Sequence, residues 1–132
     1  MKFFLIILAF ISISSRAFCQ ISNDKIVGKW ITTPKENMII EVYKVNDEYK
    51  GKIAWVKDPS DKSKPIGFEV LDKLTYNPET DMWENGKIYD PKSGKVFNSS
   101  AKLDDDTSLE VEGYWRFKFL GRTMKFRRVY IN

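Results

Sequence analysis

The stretch Glu48-Tyr49-Lys50-Gly51-Lys52-Ile53-Ala54-Trp55-Val56 sets Tyr49, Gly51, Ile53 and Trp55 on one side and Lys50 and Lys52 on the other. Alternation with a period of two is the mark of a β-strand with one face on a core and one in water. The pattern recurs downstream. Leu109 and Val111 oppose Ser108, Glu110 and Glu112, and Met124 and Phe126 oppose Thr123, Lys125 and Arg127. Working outward from these three stretches, runs of β-branched and aromatic residues predict eight strands, at residues 26–32, 38–45, 48–56, 68–76, 82–90, 96–103, 107–115 and 121–130. In the fourth, Phe68, Leu71, Leu74 and Thr75 also fit the spacing of a short helix, so two assignments stay open there.

Between these runs lie short connections at residues 46–47, 77–81, 90–94 and 104–106, rich in Asn, Asp, Gly and Pro. Such residues suit tight turns between antiparallel neighbours. The longest connection, residues 57–65, carries two prolines and predicts an exposed loop. A one-sided meander with no helices to cover it must enclose its apolar face. Closing the sheet into a barrel buries that face and removes both edges. The expected fold is therefore all-β, an antiparallel up-and-down meander of about eight strands closed by pairing of the first with the last.

That pairing sets Arg128 on the last strand beside Trp30 on the first. A guanidinium can lie flat on the indole and bond carbonyls at the rim, forming a structural barrel plug from Trp30 and Arg128. Arg127 takes the place of Arg128 if a bulge shifts the register. Gly28-Lys29-Trp30 with a terminal-strand Arg resembles the lipocalins and their calycin relatives, which implies a lipocalin-like (calycin-like) barrel. A wider resemblance rests on four stretches in order: Val27-Gly28-Lys29-Trp30, residues 51–59, residues 83–95, and Leu120-Gly121-Arg122-Thr123. Together they resemble the bacterial family known as domain of unknown function 2147. The resemblance implies a small exported protein and brings no established activity. A Cys pair that the family often carries around the second and third strands is absent here, so no redox or disulfide role carries over.

At the N-terminus, Met1-Lys2 precedes an unbroken apolar run from Phe3 to Ile11 and then small polar residues. This is the layout of a secretory signal, too short to span a bilayer, which takes about 20 apolar residues. Ala17 and Cys19 supply small residues for a cut after Cys19, giving a signal peptide at residues 1–19 and a single barrel domain at 20–132. The expected location is periplasmic or secreted, with no integral membrane segment after signal removal. Lipidation of Cys19 is the alternative, disfavoured by the bulky Phe18 before it. Losing Lys2 and Arg16 leaves 20 cations against 18 anions. So even a balance gives no argument for nucleic acid as a partner.

The chain has no His and one Cys. Nucleophilic sites built on imidazole, His-held haem and His-bearing zinc sites are excluded, as is an internal disulfide. No metal site, no cofactor and no catalytic pair is expected: residues 104–106 lack the spaced ligands of a calcium loop, and Glu110 and Glu112 share an outward face. Trp55, Tyr89, Trp83 and Trp115, with Tyr114, give a high aromatic load that either fills a core or lines a ligand site. Arg122 begins the last strand at the end opposite the plug, with the inward parity of Met124 and Phe126. There it can meet the acidic head of a ligand, or pair with Glu84, Glu110 or a rim carbonyl. The expectation is a non-enzymatic binder of a small apolar or amphipathic molecule through Arg122, Trp55, Tyr89, Trp83 and Trp115. The alternative is a cell-envelope interaction module whose barrel is scaffold and whose 57–65 loop and 90–94 turn meet a protein partner.

Overall fold

Eight antiparallel strands follow one another around the molecule: β1 (Gly28–Thr33), β2 (Met38–Val45), β3 (Glu48–Val56), β4 (Glu69–Asn77), β5 (Met82–Tyr89), β6 (Val96–Asp105), β7 (Ser108–Tyr114) and β8 (Arg122–Val129). Each pairs with its neighbour in sequence, and β8 pairs with β1 to close the barrel. The structure, a computed structural model, describes residues 23–115 and 121–130. The expected signal segment and Cys19 lie outside the described residues. No described helix is long and apolar enough to cross a membrane.

The first strand starts two residues later than its apolar pattern predicts. Asp24–Ile26 form a 3-10 turn instead, and Ile26 tucks fully buried beneath Trp30, whose Nε1 donates to the Ile26 carbonyl at 2.9 Å. The turn thus carries an apolar residue under the barrel end and also satisfies the indole N–H.

Two departures from regular alternation decide what faces inward. On β3 the ladder runs Ile40 to Ile53 and then Ile39 to Trp55, so Ala54 is an extra residue. A bulge of one residue reverses every side chain beyond it. Ile53 and Val56 are consequently buried, and Trp55, expected to line the interior, is 41% exposed. On β4, Tyr49 pairs with Leu74 and Gly51 with Leu71, two residues against three. Lys73 absorbs the extra residue at φ 60°. Leu71 and Leu74 therefore both point inward three residues apart, and the helix-like spacing belongs to a bulged strand. Gly86 on β5 makes room for this: a Cβ there would lie 2.5 Å from Leu74 Cδ2.

Because the meander is up-and-down, its connections alternate between two ends. The β2–β3, β4–β5 and β6–β7 hairpins share one end with the start of β1 and the finish of β8. The other connections, including residues 57–68 and 90–95, gather at the opposite end. Large side chains concentrate near the hairpin end, where Trp30, Tyr49, Leu74, Trp83 and Leu109 are buried. That half of the barrel is solid.

Candidate functional site

At the solid end, Trp30 and Arg128 are direct cross-strand partners. The guanidinium carbon sits 4.2 Å from the indole centroid. Nε of Arg128 donates to the Asp106 carbonyl at 2.7 Å, Nη1 to Val27 at 3.0 Å and Nη2 to Lys25 at 2.5 Å. Gly28 is required beside them, because its φ of 142° suits no other residue and a Cβ would come within 2.8 Å of Nη1. Arg127, the competing residue, points outward and bridges Glu36 at 3.1 Å.

A second layer seals the same end. Trp83, expected among the ligand-lining aromatics, is fully buried here: its Nε1 donates to the Asn23 carbonyl at 3.1 Å, and its ring meets Tyr49 edge-on at 6.4 Å. The Tyr49 hydroxyl donates to Asp24 at 2.7 Å, and Lys44 lies 3.2 Å from the same carboxylate. Burial first, and then the Asp24 hydrogen bond, push the Tyr49 phenol well above its ordinary range. The same bond holds the Asp24 carboxyl below its usual value.

The opposite half is hollow. A cavity of about 810 Å³ opens toward residues 57–68 and 90–95, with a floor and walls of Ile40, Ile53, Leu71, Val111 and Phe126. Gly113 belongs to the lining, and Ile88 packs over it, 3.2 Å from where a Cβ would stand. Ser99 lies between Gly86 and Gly113 in the ladder, and its buried hydroxyl has no hydrogen-bond partner among the described residues. Nearer the mouth, Tyr89, Tyr114 and Trp115 join the lining, with Trp115 61% exposed and edge-on to Phe97 at 6.0 Å.

Arg122 lies on the mouth of this cavity, exposed. The carboxylates that could have taken it are occupied elsewhere. Glu110 faces Lys102 at 3.3 Å and Lys125 at 4.0 Å, and Glu84 accepts from Asn77 and Thr80. Of the five side chains expected at a ligand, the structure brings Arg122, Tyr89 and Trp115 together and leaves Trp55 and Trp83 apart. It adds Phe97 and three lysines, Lys64, Lys92 and Lys95. The lysines were discoverable from connectivity, since alternate connections of a closed meander must meet at one end. Among the described residues, no group of three acidic or thiol side chains is placed to hold a metal ion.

Closure of β8 on β1 beneath an arginine-capped Gly-x-Trp makes this a lipocalin-like barrel. Protein HP1028 from the human pathogen Helicobacter pylori, described as belonging to the lipocalin family, has a similar fold: the TM-score is 0.63 at 16% identity, over 79% of this chain and 82% of that one. The chain itself belongs to the family described as "Uncharacterized protein conserved in bacteria (DUF2147)", which it matches over residues 28–128. No curated protein matches it.

Proposed function

We propose that this protein is an exported, non-enzymatic carrier that holds one small apolar or amphipathic molecule in the open half of its barrel. The observation that carries this reading is the largely apolar cavity of about 810 Å³. Its size falls within the roughly 300–1,000 Å³ of small-molecule sites. A barrel built only as a scaffold gains stability from filling such a space, because lining atoms without neighbours forfeit dispersion contacts. Here one half is filled by Trp, Tyr and Leu side chains, while in the other the side chains line an open space instead of filling it. Export rests on the signal-like residues 1–19.

The test is to purify residues 20–132 from bacteria, extract the protein with organic solvent and examine the extract by mass spectrometry, then titrate the delipidated protein with an apolar fluorescent probe. A one-to-one complex is expected, with Trp115 fluorescence responding. Failure of the delipidated protein to take up any apolar probe would overturn the carrier reading.

A further inference from the structure

We infer that the molecule held in this barrel carries an anionic head, carboxylate or phosphate, which sits at the open rim among Arg122, Lys92, Lys95 and Lys64. This rests on the carrier reading and specifies its ligand.

The rim's charge is one-sided. Among the described residues, four cations line the mouth of the cavity against one carboxylate, Asp90. That carboxylate is already engaged, accepting the Lys92 backbone N–H at 3.0 Å and the Ser93 hydroxyl at 2.9 Å. Asp61, behind the rim, accepts from Ser63 and lies 3.9 Å from Lys64. Lys95 and Arg122 form no ion pair among the described residues, and Lys92 lies near Asp61 and Asp90 without closing one. An excess of cations above an apolar shaft, with Tyr89, Tyr114 and Trp115 between the two, matches an amphiphile read from tail to head: apolar, then aromatic, then ionic.

The whole barrel is polarised in the same sense. At the solid end, residues 24–27, 46–47, 78–81 and 104–107 carry seven acidic side chains against one lysine, with Arg128 in addition. At the open end, residues 34–37, 57–68 and 90–95 carry six lysines against four acids, with Arg122 in addition. An anion approaching from solution is repelled by one pole and drawn to the other, where the entrance lies.

The experiment compares four probes with the same tail, each below its micelle concentration: dodecanoate, dodecyl phosphate, dodecanol and dodecyltrimethylammonium, by calorimetry on the delipidated 20–132 protein. The two anions should bind at least about tenfold more tightly than the alcohol, a difference of about 1.4 kcal/mol, and the ammonium should bind worst. The tighter of the two anions identifies a carboxylate or a phosphate source. In the double variant Arg122→Gln with Lys95→Gln, the ratio of anion to alcohol affinity should fall about tenfold, and Arg122→Lys should keep most of it. Circular dichroism verifies that each variant is folded. Equal affinity for all four probes would overturn the anionic head and leave the carrier reading standing. Binding of none would overturn the carrier reading itself.

Discussion

Arg128 shows how much of a fold one side chain can hold. It bonds three carbonyls from two segments that precede and flank its strand, and it covers the indole at the barrel's end. Arg128→Ala leaves those carbonyls without their charged donor and the indole without its lid, so a loss of about 2–4 kcal/mol is expected, read from the urea midpoint at unchanged slope. Arg128→Lys should recover only part of this, because an ammonium has neither the planar face nor the fork of donors. An alanine variant within about 0.5 kcal/mol of the parent would show that the plug is ornamental. The pairing of Trp30 with Arg128 was legible in sequence because the period of two fixes parity on both strands, and Gly28 marks the close approach. The fate of Trp83 was not. Parity gives only that it points inward; its place beside the 77–81 turn puts it at the solid end, and the Asn23 carbonyl below it satisfies the indole N–H there.

At the level of elements, the 3-10 turn before β1 and strand β3 are tied by Tyr49 and Asp24, and this tie should register in pH dependence. Asp24 has its carboxyl lowered from 3.8, chiefly by the Tyr49 hydroxyl and less by Lys44. The unfolded chain therefore takes up that proton first as pH falls. The stabilisation is complete above pH 3.8 and disappears as pH drops through the lower folded value. Tyr49 runs the other way: raised from 10.0, its contribution is complete below that pH and lost above it as the unfolded phenol ionises first. Chemical denaturation across pH should show Asp24→Asn flattening part of the acid limb and Tyr49→Phe part of the alkaline one, the rest of which belongs to Tyr43, pushed up to about 12 chiefly by its hydrogen bond to Glu69. The acid limb that persists in Asp24→Asn belongs to Asp61, Asp90 and Asp105, held low by hydrogen bonds within their own turns. Strand count, order and closure were all readable from the sequence, since eight one-sided runs with short turns leave few alternatives. The bulges were not. Nothing in Ala54 or Lys73 advertises an inserted residue, and each turns the side chains beyond it, which is why Trp55 ends in solvent and Leu71 and Leu74 imitate a helix.

For the molecule as a whole, alternation identifies the inner face but not how far its side chains reach, so a hollow half beside a packed half could not be told in advance. The rings of Trp30, Tyr49 and Trp83 meet across one half, while in the other the side chains of Ile40, Ile53, Leu71 and Val111 stop short of one another around the cavity. The separation of charge along the barrel axis has a kinetic consequence. Stopped-flow association of dodecanoate should slow by roughly tenfold between about 0.01 and 0.3 M salt, as the screening length shrinks below the size of the rim, while dodecanol association stays flat. Equal salt responses for the two probes would mean that steering plays no part.

An even number of strands also returns the polypeptide to where it set out. Gly28 and Val129 emerge at the stoppered pole, far from the entrance. A biotin handle or a fused reporter joined to either terminus of the barrel therefore anchors it upright on a sensor chip, with its doorway facing the flow.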